Sequence, residues 1–238
     1  MKKSYMYHNP AQLSKALLIF TLAILTSCHT TFYVHNKIHM DEKDLEVEIA
    51  EKYDNCKLEG IISYNIFNMA MIGYKNIEPK NKDILTIIDF SKPSTEKRFY
   101  LIDLKSEKLL INTWVAHGKN SGENEALNFS NIKDTKMSSP GFFVTAETYH
   151  GSNGYSLRID GIEKHINHKA RRRYIVIHGA DYVSEEFIIE NDRLGRSWGC
   201  PAVPMELSGQ IIDLIKEGSC IFVYVNDPEY FKKSKLVE

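Results

Sequence analysis

Apolar and polar positions follow two different rhythms along this chain. From residue 84 onward, short runs rich in β-branched and aromatic residues are separated by turn-forming residues, a pattern typical of strands joined by tight turns. Short strands at irregular spacing predict a mainly β domain, a sandwich or barrel-like sheet rather than alternating βαβ units. The predicted strands cover residues 84–90, 98–104, 109–115, 141–149, 155–159, 174–177 and 220–225.

Helical spacing governs the chain before residue 80, where apolar residues recur every three or four positions from residue 41 to about residue 77. One further helix is predicted after Cys200, with a buried stripe of apolar residues and Gly218 as a C-cap. The pattern therefore divides the chain into a helical N-terminal segment, a β domain and a C-terminal tail, at residues 41–80, 81–228 and 229–238.

The first forty residues have a different character. Three lysines precede an apolar run over residues 16–26, which is too short to span a bilayer and suits the core of a signal peptide. The run ends in Leu25-Thr26-Ser27-Cys28, which resembles a bacterial lipobox. That resemblance implies a lipoprotein signal peptide over residues 1–27, lipid attachment at Cys28, a tether over 28–40, and a membrane-anchored protein facing the periplasm or cell wall. The alternative is a plain secretory signal with a chance cysteine.

Composition narrows the function classes. The chain has 238 residues, 43% apolar and 26% charged, with a net charge of −1, which argues against disorder and against nucleic-acid binding. Four cysteines are present. Cys56 and Cys220 could pair in an oxidising compartment, but Cys220 opens an apolar strand and is more simply a core residue.

The candidate chemistry lies in Ser197-Trp198-Gly199-Cys200, with His178-Gly179 upstream at the end of an apolar strand. A cysteine is a good nucleophile as the thiolate, and a nearby histidine can act as its base. Ser197, Asp181 or a loop carbonyl could orient the His178 ring. Pro201 has no amide hydrogen and cannot contribute to an oxyanion hole. The alternative for Cys200 alone is a buried structural cysteine.

Other polar residues are weaker candidates for substrate binding. Arg193 and Arg196 could bind a carboxylate at two points. His117 and Asn120 lie in a loop after a strand, where binding residues are often found, and Tyr149 precedes a glycine-rich turn. The three arginines at residues 171–173 are predicted to be solvent-exposed at the start of a strand. His165 and His168 lack the spacing of a metal motif, and neither a metal nor a cofactor is expected.

Several segments together resemble the catalytic domain of the L,D-transpeptidases, the YkuD-like family. In that family a histidine-glycine precedes a serine-histidine-glycine-cysteine segment, and this chain is similar to the murein branch in which tryptophan replaces the second histidine. A departure from the main family follows the cysteine, where Pro201-Ala202-Val203 replaces the arginine and asparagine often found there. The matching segments cover residues 88–94, 115–122, 129–131, 138–141 and 195–202.

The resemblance implies a YkuD-like β-sandwich and a site with Cys200 as nucleophile, His178 as base, Ser197 beside the site, and Gly199 and Cys200 as backbone donors to the oxyanion. Trp198, in place of the second histidine, would border the substrate. The implied substrates are peptidoglycan stem peptides, joined by acyl transfer through a cysteine thioester with release of D-alanine. An L,D-carboxypeptidase with water as acceptor and a non-catalytic peptidoglycan-binding lipoprotein are the alternatives.

Overall fold

The computed structural model describes residues 43–78, 80 and 82–237. By its contacts the chain divides into two units, residues 1–49 and 50–238. The predicted signal peptide, the tether and Cys28 lie outside the described residues. None of the helices in the described part combines the length and apolar character that crossing a bilayer requires.

Two helices form the predicted N-terminal helical segment. Helix α1 covers residues 43–55 and α2 covers Tyr64–Asn76. Helix α2 buries Phe67, Ala70 and Met71 completely, as expected for an amphipathic helix that lies on a sheet. A Cβ atom at Gly73 would lie 2.0 Å from Cζ of Phe142, so only glycine allows α2 to approach the sheet this closely.

Eight strands form one sheet in the order β3-β2-β1-β8-β4-β5-β6-β7. Pairs β1/β8 and β6/β7 are parallel, and the remaining pairs are antiparallel. Most of these strands are rich in β-branched and aromatic residues, which favour the extended backbone. The strands are β1 Ile84–Asp89, β2 Phe99–Asp103, β3 Lys108–Thr113, β4 Gly141–Gly151, β5 Gly154–Gly161, β6 Val176–Ala180, β7 Ala202–Pro204 and β8 Cys220–Tyr224.

The segment after β3 nearly closes this sheet into a barrel. The amide of Ala116 donates to the carbonyl of Ala202 at 2.8 Å, and an isolated bridge joins Gly118 to Ser197. The two edges of the sheet thus meet through residues 116–118. The predicted mainly β, barrel-like fold is confirmed, and closure places residues 116–118 beside β7 and the cysteine segment.

Three further helices lie in the second half of the chain: α3 Glu185–Asn191, α4 Met205–Ile215 and α5 Pro228–Phe231. Helix α4 is the helix predicted after Cys200 and buries Ile211, Ile212 and Ile215 completely. The segment predicted as a C-terminal tail contains most of α5 and is packed down, since Tyr230 and Ser234 are buried.

The sequence missed two elements and misplaced the start of one strand. Strand β7 is only three residues long, and the short helix α3 buries no residue completely, so neither leaves a strong periodic pattern. Strand β6 starts at Val176 rather than at residue 174 because Tyr174 adopts a left-handed conformation with φ +58°. Cys56 and Cys220 are both free and buried, so the disulfide alternative does not hold in this structure.

Candidate functional site

His178 occupies the middle of β6, paired with Ser156 of β5 on one side and Ala202 of β7 on the other. Its side chain is 4% exposed and borders an open cleft. The ring is oriented by the backbone of the next residue, because Nδ1 lies 2.9 Å from the carbonyl oxygen of Gly179. Of the orienting groups that the sequence left open, the structure therefore provides a carbonyl.

That contact also determines the tautomer of the neutral ring. A carbonyl oxygen can only accept, so Nδ1 carries the hydrogen and Nε2 keeps its lone pair. Burial lowers the pKa of His178, and the Gly179 carbonyl offsets part of this effect. His178 is therefore a neutral base at physiological pH, with its acceptor nitrogen free to take a proton.

Cys200 borders the same cleft and is half-buried. Its Sγ donates to the carbonyl oxygen of Tyr174 at 3.6 Å. Burial raises the pKa of this thiol, while a backbone contact at Val176 and the charge of Arg173 act in the opposite direction. The cleft is thus bordered by a neutral thiol and a neutral imidazole rather than by a thiolate and an imidazolium.

Ser197 shapes the loop that carries the thiol. Its Oγ accepts from the amide of Gly199 at 3.0 Å and donates to the carbonyl of Cys200 at 2.6 Å. Gly199 has φ +120°, and a Cβ there would lie 2.7 Å from the carbonyl oxygen of Met137, so this position requires glycine. One hydroxyl therefore closes a tight turn around the cysteine.

Neighbouring segments hold the same loop from outside. The amide of Ser197 donates to the carbonyl of His117 at 3.0 Å, and the amide of Lys119 donates to the carbonyl of Ser197 at 2.8 Å. The Oγ of Ser138 donates to the carbonyl of Gly199 at 3.2 Å. Residues 197–200, the cysteine loop, are thus bonded to the segment that closes the barrel.

A buried arginine anchors that segment in turn. Arg98 is fully buried and donates to the carbonyls of Val115 and Lys92 and to Nδ1 of His117 at 2.8 Å. Since arginine only donates, Nδ1 of His117 accepts, and Nε2 donates to the carbonyl of Gly122 at 3.3 Å. Burial, followed by the charge of Arg98, lowers the pKa of His117 to about 4, so this histidine is neutral.

The cleft that Cys200 and His178 border has a volume of ≈ 670 Å³. Its walls come from the 133–136 segment, the β4–β5 turn, the residues just before β6, the middle of β6, Tyr182 and the cysteine loop. The lining residues are Lys133, Asp134, Lys136, Ser152, Asn153, Arg173, Tyr174, His178, Tyr182, Arg196, Ser197, Trp198 and Cys200. A cleft of this volume lies within the range of small-ligand sites.

Comparison with known families decides the assignment. The profile of the L,D-transpeptidase catalytic domain matches residues 58–224, which cover most of the chain. The chain belongs to the L,D-transpeptidase catalytic domain family. No curated protein sequence matches it significantly.

Solved structures of L,D-transpeptidases are among its structural neighbours. An L,D-transpeptidase from Mycobacterium smegmatis is 12% identical, with 61% of this chain and 60% of that chain covered and a TM-score of 0.38. The helical cell shape determining protein Pgp2 from Campylobacter jejuni is 13% identical, with 68% and 55% covered and a TM-score of 0.41. An Enterococcus faecium L,D-transpeptidase is 16% identical, with 60% and 50% covered and a TM-score of 0.35. This chain spans less than two thirds of each of these solved chains.

In this L,D-transpeptidase domain, five residues that the sequence singled out border the cleft together: Cys200, His178, Ser197, Arg196 and Trp198. Trp198 is 74% exposed, with Nζ of Lys136 4.5 Å from its ring centre. Gly199 lies beneath them and is buried. Its amide is already bonded to Ser197, whereas the amides of Trp198 and Cys200 have no hydrogen-bond partner among the described residues.

The other four predicted binding residues do not line the cleft. His117 is fully buried against Arg98, contrary to its predicted position at the cleft border. Asn120 is exposed and donates to the carbonyl of Thr135, and the ring of Tyr149 stacks against Arg158 at 4.6 Å. Arg193 and Arg196 both pair with Glu123, at 3.2 Å and 2.6 Å. The two side chains predicted to bind a substrate carboxylate thus already bind a carboxylate of this chain.

Eight of the cleft-lining residues were not singled out from the sequence, and three of them, Arg173, Tyr174 and Tyr182, lie on either side of His178 along the chain. Arg173 belongs to the run predicted to be solvated, yet only 9% of it is exposed, and its guanidinium donates inward to Ser130, Ser139 and Met137. Tyr174 contributes its carbonyl to the thiol, and Tyr182 stands in the 180–196 loop. None of them has a motif of its own. Within the described ranges, no three His, Cys, Asp or Glu side chains gather as metal ligands do.

Proposed function

We propose that this chain is a cysteine-dependent L,D-transpeptidase that acts on peptidoglycan stem peptides. The observation that carries the proposal is the neutral thiol–imidazole pair: Cys200 and His178 border one cleft, and the Gly179 carbonyl leaves Nε2 of His178 as an acceptor. Family membership gives the reaction class.

In the first step the Cys200 thiol leaves the Tyr174 carbonyl and transfers its proton to Nε2 of His178. The sulfur then attacks the amide carbonyl that links the L-centre of the diamino acid to the terminal D-alanine of a tetrapeptide stem. The amides of Cys200 and Trp198, which have no hydrogen-bond partner among the described residues, are the backbone candidates to stabilise the oxyanion. Pro201 has no amide hydrogen and contributes nothing there.

Collapse of the tetrahedral intermediate breaks the carbon–nitrogen bond. His178 returns its proton to the departing amine of D-alanine, and a thioester remains on Cys200. In the second step an amine of another stem attacks the thioester, loses its proton to His178 and forms the new amide. The carbon–sulfur bond breaks and the thiol regains its proton. Water as acceptor gives hydrolysis instead.

The test is incubation of the purified full chain with tetrapeptide muropeptides, followed by mass analysis of the products. Cross-linked dimers would support transpeptidation, tripeptides alone would support an L,D-carboxypeptidase, and unchanged substrate would point to a binding protein. Cys200→Ala should abolish both chemistries, and the thioester should appear as an added acyl mass on Cys200. Turnover by Cys200→Ala would refute the mechanism.

The proposal includes an exported, lipid-anchored location, which rests on the lipobox-like sequence ending at Cys28. Acylation at this cysteine would place the domain outside the cytoplasmic membrane, next to its substrate. Metabolic labelling with a radioactive fatty acid tests it. Label should enter the wild type and be absent from Cys28→Ala, and label in both would contradict the assignment.

A further inference from the structure

A second cleft of ≈ 840 Å³ lies directly beside the Cys200 cleft. We call it the basic cleft, because six of its lining residues are cationic and one is acidic. Its lining residues are Ile132, Lys133, Glu147, Arg158, Lys169, Arg171, Arg172, Arg173 and Tyr174. A protein of nearly neutral net charge thus concentrates positive charge at one place on its surface, which attracts anions.

Part of this charge is neutralised within the protein. Glu147 pairs with Arg158 at 3.2 Å and with Arg171 at 2.7 Å, and Arg171 also pairs with Asp160 at 2.5 Å. These pairs neutralise two of the six cations, Arg158 and Arg171, and leave the charge of the other four.

Four cations have no acidic partner among the described residues: Lys133, Lys169, Arg172 and Arg173. Arg173 is the most informative of them, because it is nine-tenths buried and all its hydrogen-bond partners are neutral oxygens. Its Nε is buried and has no hydrogen-bond partner among the described residues. A buried charge without a counter-charge is unfavourable, and an anion in the basic cleft would supply one.

The two clefts share Lys133, Arg173 and Tyr174. Tyr174 stands at the junction, because its carbonyl accepts from the Cys200 thiol while its side chain is 67% exposed. Ile132, 65% exposed, adds an apolar edge to the basic cleft. A ligand for this surface carries several carboxylates and short aliphatic groups, and it lies next to the reactive sulfur.

We propose that the basic cleft binds the carboxylates of the acyl-acceptor stem peptide and presents the amine of that stem to the thioester on Cys200. The inference rests on the proposed function, since transpeptidation brings two acidic stems to one nucleophile. The Cys200 cleft takes the donor stem, and the basic cleft beside it takes the acceptor. Arg172 is exposed, lies outside the Cys200 cleft and has no ion-pair partner among the described residues, so it is the residue to change.

The first experiment separates the two half-reactions in Arg172→Glu. The donor step is followed as acyl mass on Cys200, with a tetrapeptide whose side-chain amine is acetylated. The acceptor step is followed as cross-linked product against increasing concentrations of the tripeptide L-Ala-γ-D-Glu-diaminopimelate. Thioester formation should stay within about twofold of wild type, while the acceptor KM rises about tenfold, and products shift to hydrolysis.

Lys108→Glu is the matched control. Lys108 is exposed at the start of β3 and lines neither cleft, so the same charge reversal there should leave both steps unchanged. An unchanged acceptor KM in Arg172→Glu, or an equal loss in both half-reactions, would overturn the inference.

A binding arm keeps the test independent of turnover. Cys200→Ala is titrated calorimetrically with the same tripeptide, with its carboxamide form and with inorganic phosphate. Binding should weaken on amidation and on adding Arg172→Glu, and phosphate should compete only weakly. Equal binding with and without Arg172→Glu would refute the basic cleft as a stem site, and equally tight phosphate binding would refute its preference for carboxylates. Absence of a thioester in the wild type would instead refute the proposed function.

Discussion

Ser197→Ala is the sharpest perturbation of the cysteine loop. The Ser197 hydroxyl makes two hydrogen bonds inside a four-residue turn, accepting from the Gly199 amide at 3.0 Å and donating to the Cys200 carbonyl at 2.6 Å. Alanine removes both without removing the backbone bonds that tie residue 197 to His117 and Lys119. The substitution therefore loosens the turn around the sulfur while its ends stay attached.

The magnitude follows from burial. Gly199 is buried, so its amide loses its only acceptor with no water to replace it, a cost of about 1–3 kcal/mol. Loss of the bond to the Cys200 carbonyl adds about 1 kcal/mol. We expect the free energy of unfolding to fall by about 2–4 kcal/mol and Tm by about 5–10 °C. Displacement of the thiol should lower kcat/KM by about 10–100-fold.

Thermal unfolding and thioester formation at 20 °C measure the two effects on the same protein. Ser208→Ala is the control, because the buried Ser208 hydroxyl donates only to the carbonyl of Met205 in helix α4. It should cost less than about 1 kcal/mol and leave the reaction rate unchanged. If Ser197→Ala keeps both the Tm and the rate of wild type, the Ser197 hydroxyl does not hold the cysteine loop.

Three further predictions follow from buried polar groups. Burial lowers the pKa of His178 and raises that of Cys200. The acid limb of kcat/KM should therefore have its midpoint below pH 6.5, and the rate of iodoacetamide alkylation should rise with a midpoint above pH 9. Alkylation that is already maximal at pH 7 would contradict a neutral thiol. Burial also raises the pKa of Glu163 above 4.5, so stability should fall as pH rises from about 4.5 towards the raised pKa. Glu163→Gln should flatten that slope in urea titrations, and an unchanged slope would contradict it. Arg98→Met leaves two carbonyls and Nδ1 of His117 without a donor and should cost about 2–4 kcal/mol in urea unfolding; a loss below about 1 kcal/mol would show that the site relaxes.

The sequence predicted those parts of the site that depend on residue types within a short stretch of chain. A continuous apolar run predicted strand β6, although the strand continues past His178 to Ala180 rather than ending there. The turn-forming neighbours of Cys200 predicted a tight loop. Both lie within short stretches of chain, so residue type alone constrains them. The orienting group of His178 stayed open because it is a backbone carbonyl, and every residue has one.

Contacts across the barrel could not be anticipated in the same way. Arg173 looks like a solvated cation in a basic run, and only the fold shows it turned inward against Ser130 and Ser139. His117 looks like a loop histidine, and only closure of the sheet buries it against Arg98. In each case the deciding partner is distant in sequence, so no local pattern records the contact.

The contacts of the cysteine loop explain why a tryptophan can occupy position 198. Trp198 is exposed, and its ring stacks under Nζ of Lys136 rather than against His178. The bonds that hold the loop use the Ser197 hydroxyl, the Ser138 hydroxyl and backbone groups. None of them needs the side chain at position 198. A histidine and a tryptophan can therefore occupy this position with the same loop geometry, and the difference between them falls on the exposed wall of the cleft.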